Sequence, residues 1–393
     1  MRGADAFLTP TPMPMFTSNY PYYQPGHPSL LPILERTGAS PQYTGRGVVM
    51  AFIDSGFYPH RDLEGRIRMH VDASTNHVVE QGEKFSASDL SWHGQMTSVI
   101  AAGNGRTSGG RFRGIASEAQ LVLIKVSTPR GQIKERDILR GLMWLADTHH
   151  RLNVRIANIS VGGDFASSDP QHPLHRIVRK LTEAGVTVVI AAGNRNVQEL
   201  LPPASAADAV IVGGINDYNS SDPSLWSIYH HNYGYAYDGS RKPDLLAPAN
   251  WIASPILPGS SVEREVRWLA ELLKTSDESH IRHVLSLGYR DLGIPRDAAY
   301  HADEHLYALL QQRIHAHKII DAHHQHVDGT SVAAPIVAAV VAQMLEANPS
   351  LTPPEIRAIL TRTARPLPNV PPEKQGAGVL DAARAVQAAA RWS

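Results

Sequence analysis

Val48-Val49-Met50-Ala51-Phe52-Ile53-Asp54-Ser55-Gly56 carries six apolar residues straight into an acid, a hydroxyl and a glycine. An unbroken apolar run of this length, closed by a turn signal, suits a strand buried on both faces, as in a parallel sheet. Similar runs recur downstream: Leu121-Val122-Leu123-Ile124-Lys125-Val126, Ile156-Ala157-Asn158-Ile159-Ser160, Val186-Thr187-Val188-Val189-Ile190 and Val210-Ile211-Val212. Between them, residues 133–146 and 175–184 place apolar side chains at helical spacing, as the crossovers between parallel strands require. The alternation predicts an α/β fold with a doubly wound, mostly parallel sheet flanked by helices. In such a sheet Asp54 ends its strand at the carboxyl edge, where open α/β sheets form their ligand crevice. Asp-Ser-Gly is also a good turn sequence in its own right, so Asp54 gains meaning only with other segments.

Residues 1–28, rich in Pro, Thr, Met and Tyr and without periodicity, are expected to be an extended arm. Residues 29–393 then form one domain, interrupted by a helical insertion at 255–326. A structureless loop of roughly 70 residues would be improbable inside a compact domain, and this stretch reads as helical. Ser260-Ser261-Val262-Glu263 has capping-box spacing, and Val262, Val266, Leu269, Leu272 and Leu273 continue as one stripe. Further helices are expected around 281–287 and over about 297–320, where Leu306, Leu309, Leu310 and Ile314 share a face. After the insertion, Ser331 opens the run 332–345, apolar almost throughout, as a fully buried helix would be. Pro335 is expected near its first turn, where a missing N–H matters least.

The 393 residues include 37 basic and 37 acidic side chains, so the chain has no net charge to attract nucleic acid or an anionic membrane, and neither is expected as a partner. With 42% hydrophobic and 19% charged residues it can bury a large core. No apolar run reaches the roughly 20 residues of a spanning helix, and the first residues lack a secretory layout. Cysteine is absent, which fits a reducing compartment. A cytoplasmic protein without a long pro-domain is the expectation.

Three segments carry candidate chemistry: Asp54-Ser55-Gly56, His93-Gly94 and Gly329-Thr330-Ser331-Val332-Ala333-Ala334-Pro335, with Ala191-Ala192-Gly193-Asn194 between the last two. Together they resemble the subtilase family of serine peptidases, whose member subtilisin is the known example of the chain order Asp, His, Ser. The resemblance spans about residues 30–254 and 326–390, including Gln375-Gly376-Ala377-Gly378-Val379-Leu380-Asp381. It implies a serine endopeptidase acting on polypeptides with no required cofactor and no catalytic metal. Ser331 would be the nucleophile, His93 the base and Asp54 its orienting acid, while Asn194 and the Ser331 N–H would hold the oxyanion. A serine at a helix N-terminus is physically suited to this, because unpaired N–H groups and the positive end of the dipole favour a developing anion. Ser331 could equally be read as an ordinary N-cap and Asn194 as a turn residue; the combination of segments decides against that.

The resemblance also implies a substrate-binding edge at Ser160-Val161-Gly162-Gly163, with Pro203-Ala204-Ser205 nearby, where an extended peptide would add as a strand beside Ala191, Ala192 and Gly193. The small residues Gly162, Ala191 and Ala192 suggest an open, apolar first pocket. After His93-Gly94 the family continues with small residues, whereas this chain has Gln95-Met96-Thr97-Ser98, which bears on the width of the cleft. An alternative function follows: a catalytically slow or inactive peptide-binding or regulatory module on the same fold. The insertion, joined directly to the Ser331 segment, is expected to offer a docking surface for a regulatory protein.

Two metal patterns compete. His60-Arg61-Asp62-Leu63 with Asn104 resembles the calcium segment of many subtilases, but the loop 104–110 has no acidic residue, so structural calcium is allowed and not required. His301-Ala302-Asp303-Glu304-His305 fits a His-x-x-Glu-His zinc form with no identifiable third ligand. Among the 20 histidines, His323, His324 and His326 cluster near Ser331 and read as solvated loop residues or a pH-sensitive hinge.

Overall fold

The computed structural model describes residues 15–22, 30–82, 85, 87–298, 300 and 303–392. Its strands are β1 (Val49–Asp54), β2 (Ile67–Asp72), β3 (Val79–Gly82), β4 (Gln120–Lys125), β5 (Val154–Ile159), β6 (Thr187–Ala191), β7 (Val210–Asn216), β8 (Ser227–Ile228), β9 (Gly234–Tyr235), β10 (Arg241–Lys242), β11 (Leu245–Pro248), β12 (Ile252–Pro255) and β13 (His324–Val327). Its helices are α1 (Ile33–Thr37), α2 (Trp92–Ala102), α3 (Glu135–Leu152), α4 (Pro173–Glu183), α5 (Ser261–Leu272), α6 (Glu278–Gly288), α7 (Glu304–His317), α8 (Thr330–Ala347), α9 (Pro353–Thr363), α10 (Pro372–Gln375) and α11 (Ala382–Ala390). The chain divides into two units, 24–257 with 326–393, and 258–325 with 1–23.

The first unit is built on one sheet of order β11-β7-β6-β5-β1-β4-β2-β3, with β8 on β7. Every pair along it is parallel except β2 with β3 and β7 with β8. All six residues of β1 are buried, because the sheet is covered on both faces. Met50 and Phe52 point into the layer containing α2, α8 and α11, while Val49, Ala51 and Ile53 point into the layer containing α3 and α4. The strand β2 and the edge strand β3 beside it have no sequence signature of this kind. Polar residues interrupt β2, and β3 is largely exposed, so neither presents the apolar run that marks a central strand.

Helix α8 is the centre of the first layer. It is long and apolar enough to cross a membrane by composition, yet 89% of its residues are buried, as expected of a core helix. Pro335 lies beyond the first turn that had been expected, since the helix starts at Thr330. The N–H it lacks is the one that would have bonded the Ser331 carbonyl, so the second turn is loosened at the residue of interest.

In the second unit, Ser260 caps α5 by accepting from the Glu263 N–H at 3.1 Å, and Val266, Leu269 and Leu272 are buried. Asp277 and Asp303 cap α6 and α7 in the same way. Gly288 of α6 allows close packing on α5, since a Cβ there would sit 2.7 Å from the Trp268 ring. Helix α7 begins at Glu304 and not near 297, because residues 295–298 form turns, and it buries Leu310 and Ile314 while Leu306 and Leu309 stay partly exposed. The described part of the arm, residues 15–22, has no helix or strand, yet Phe16 and Tyr20 are buried.

Candidate active site

Register places three chain segments side by side at the carboxyl edge of the sheet. Ile53 of β1 pairs with Ile159 of β5, which pairs with Ile190 of β6. The next residues, Asp54, Ser160 and Ala191, therefore form a row where an open α/β sheet offers its crevice.

Asp54 is fully buried and its carboxylate is completely used. Its Oδ1 accepts from His93 Nδ1 at 2.6 Å and from the Ser55 N–H at 2.6 Å, and its Oδ2 accepts from the Thr97 hydroxyl at 3.1 Å. Because Nδ1 donates to the carboxylate, the neutral His93 ring carries its lone pair on Nε2. Burial would lower the pKa of His93, but the charge of Asp54 and its hydrogen bond outweigh burial and hold it above the ordinary imidazole value.

The approach of His93 to Asp54 depends on Gly94. A methyl group there would meet the Gly56 carbonyl oxygen and come within 2.8 Å of the Phe57 ring, so only glycine lets the first turn of α2 lie on the turn that follows β1. The bulkier Gln95-Met96-Thr97-Ser98 that follows is wholly buried and does not narrow the cleft. Met96 joins the core, Thr97 holds Asp54, and Gln95 Nε2 reaches the Pro255 and Ile256 carbonyls at 3.4 Å.

His93 and Ser331 line one cleft of about 250 Å³, together with Ser160, Val161, Gly162, Ala191, Ala192, Gly193 and Asn194. Gly163 is not part of this lining; its N–H is engaged with the Pro202 carbonyl at 2.6 Å. Arg195, Leu201, Ala204 and Asn232 complete the walls, and of these only Ala204 belongs to a segment marked out in the sequence. Ser331 Oγ makes no hydrogen bond among the described residues, a common resting state for a group that is engaged only with substrate in place.

Asn194 is exposed, and its side chain is oriented by Thr330. The Thr330 N–H and hydroxyl approach Asn194 Oδ1 at 2.9 and 3.0 Å, and Thr330 Oγ1 accepts from the Gly193 N–H at 3.0 Å. Two donors on one side-chain atom identify that atom as oxygen, which leaves the Nδ2 donors to the cleft. Asn232, buried, braces the same loop: its Oδ1 accepts from Arg195 N–H at 2.8 Å and its N–H donates to the Gly193 carbonyl at 2.9 Å. Gly329 has φ 137°, and a Cβ there would lie 3.2 Å from both Ser331 Oγ and Asn194 Nδ2, so these two atoms converge on one small volume.

Among the described residues neither metal pattern assembles a ligand cluster. Calcium needs six or more oxygen ligands, whereas both oxygens of buried Asp62 are occupied by Thr107, Oδ1 by its N–H at 2.9 Å and Oδ2 by its hydroxyl at 3.0 Å. Asn104 Oδ1 is taken by the Arg106 N–H at 3.0 Å. The residues present do not fit calcium. His301 of the zinc pattern lies outside the described residues, and His305 is exposed on α7. In the histidine cluster, His324 and His326 are buried and not solvated: His324 contacts Asp321 at 2.8 Å, and His326 lies edge-on to Trp251.

Known proteins resemble this chain in sequence and in fold. Serine protease AprX of Bacillus subtilis (strain 168) is 29% identical over 352 residues, covering 87% of this chain and 67% of its own length. The extracellular serine proteinase of Thermus sp. (strain Rt41A) is 32% identical over 215 residues, covering 54% of this chain, which spans only 44% of that protein. Among solved structures, the CspB protease of Clostridium perfringens superposes with TM-score 0.64 at 14% identity over 91% of this chain and 97% of that one. Fervidolysin of Fervidobacterium pennivorans superposes with TM-score 0.62 at 20% identity over 90% of this chain and 45% of that one. The sequence profile of the subtilase family, peptidase S8, matches residues 45–378, and the chain belongs to that family.

Proposed function

We infer that the chain is a serine endopeptidase in which Ser331, His93, Asp54 and Asn194 carry the reaction. The supporting observation is the fully satisfied Asp54 carboxylate bonded to His93 Nδ1, with Ser331 lining the same cleft. His93 Nε2 takes the Ser331 hydroxyl proton as Oγ bonds to the substrate carbonyl carbon, then delivers it to the departing amine as the C–N bond breaks. Water repeats the sequence on the acyl-enzyme and returns Ser331. The negative charge that develops on the carbonyl oxygen is met by Asn194 Nδ2 and the Ser331 N–H. Substrate would enter extended along Ser160-Val161-Gly162, and the small residues Gly162, Ala191 and Ala192 favour an uncharged side chain in the first pocket.

The test is labelling by an active-site fluorophosphonate together with hydrolysis of an unstructured protein, compared between the wild type and Ser331→Ala. Labelling and turnover confined to the wild type support the mechanism. A wild type that neither labels nor cleaves would leave the non-catalytic peptide-binding module in its place.

A further inference from the structure

The helical unit contains a segment from the far end of the chain. Thr17 and Gln311, 294 residues apart, are joined by two hydrogen bonds: the Thr17 N–H donates to Gln311 Oε1 at 2.9 Å and Gln311 Nε2 donates to the Thr17 carbonyl at 2.7 Å. A side-chain amide that pairs with both backbone groups of one residue reads main chain and not side chain, as strand-adding peptide sites do. One turn along α7, Asn19 Nδ2 donates to the His315 carbonyl at 3.0 Å, and one turn back, the Phe16 ring lies edge-on to Tyr307 at 5.7 Å.

Over Thr17 to Asn19 the spacings are compatible. Four residues of helix rise about 6 Å, and two residues of extended chain rise about 6.6 Å. Thr17 meets Gln311, while His315 serves both residues: its Nε2 lies 3.1 Å from the Thr17 carbonyl and its own carbonyl accepts from Asn19. Tyr307, Gln311 and His315, at i, i+4 and i+8, form one stripe of α7 for an extended chain running beside it. Phe16 and Tyr20 anchor the segment, with only 1% and 4% of their surface exposed.

We propose that this stripe of α7 is a binding groove for an extended polypeptide carrying two aromatic side chains four residues apart, filled in cis by residues 15–22 of this chain. The ligand class follows from the contacts: main-chain pairing to Gln311 gives sequence-tolerant affinity, and the aromatic anchors select the spacing. The groove shares no residue with the proposed catalytic set, and its existence does not rest on the proposed peptidase activity.

The experiment uses the full chain with Phe16 and Tyr20 both changed to alanine, so that the cis segment loses its anchors, and a fluorescent peptide of the native sequence 15–22 as probe. Fluorescence anisotropy should show saturable binding to this variant, at least tenfold weaker binding to the wild type, whose groove is filled, and loss of binding when Gln311→Ala is added. A folded double variant that does not bind the peptide overturns the proposal. Should the double variant fail to fold, amide hydrogen exchange in the wild type and the single variant Gln311→Ala decides. The Thr17 amide should be protected in the first and lose at least tenfold of that protection in the second, with α8 unchanged. A Thr17 amide that exchanges freely in the wild type, or that keeps its protection in Gln311→Ala, overturns it equally.

Discussion

Thr330 grips Asn194 by its oxygen, with the Thr330 N–H and hydroxyl at 2.9 and 3.0 Å from Oδ1. The residue before the proposed nucleophile thereby fixes the direction of the proposed oxyanion donor, and it ties in the Gly193 N–H as well. This makes Thr330 a positioning residue. Thr330→Val should lower kcat about tenfold with KM nearly unchanged, because a mis-aimed donor is felt only when the oxyanion exists. Thr330→Ser should restore the rate. Asn194→Ala should lower kcat by about 10²–10³, the magnitude found for the corresponding donor in a subtilisin. A change confined to KM in either variant would assign these residues to substrate binding.

In the proposed mechanism the His93–Asp54 pair sets the acid limb of the pH–rate profile. His93 must be neutral to accept a proton, and its pKa is held above the usual ~6.5 by Asp54. The acid limb of kcat/KM should therefore have its midpoint above that value. Asp54→Asn should move the midpoint down and cut kcat by the order of 10⁴. The same pair stabilises the fold most below the unfolded imidazole pKa, and this contribution is lost as pH rises through the folded pKa.

Gly329→Ala tests the crowding between Ser331 and Asn194. The backbone at φ 137° disfavours any L side chain, and the new methyl group would lie 3.2 Å from both Ser331 Oγ and Asn194 Nδ2. A displacement of ~1 Å at such a site is worth ~10²-fold in rate. Steady-state kinetics should show a fall of that order while the far-UV spectrum stays native.

His70 predicts an acid weakness. It is buried on β2, stacked on Phe85 at 3.8 Å, and burial pushes its pKa down to about 4 against the opposing effects of Gln81 and Asp72. The unfolded chain binds this proton from ~6.5 downward, so stability should fall as pH drops from there to about 4. Urea unfolding at stepped pH should show the loss, and His70→Phe, which keeps a stacking ring without the titration, should flatten it.

The Asp62–Thr107 clasp should do the work of a structural ion. Calcium chelation is expected to leave the melting temperature unchanged, whereas Thr107→Val should lower stability by about 1.5–3 kcal/mol by stripping a hydroxyl donor from a buried carboxylate. A calcium-dependent rise in Tm would contradict the donor arrangement.

The central strands, the core helix α8 and the family are legible in the amino-acid sequence, because each is written in a contiguous stretch: unbroken apolar runs for strands covered on both faces, and short motifs at the strand and helix ends. It also singled out Asp54, His93, Asn194 and Ser331, since their flanking residues are local. β2 and the edge strand β3 escaped, because partly solvated strands carry no apolar run. Packing in three dimensions is what brings Thr97 to the Asp54 carboxylate, Thr330 to Asn194, Asn232 to the loop around it, Gly163 to Pro202, and residues 15–22 to α7. Periodicity encodes which face of an element is buried; it does not encode which distant donor a hydroxyl or an amide will find once the elements pack.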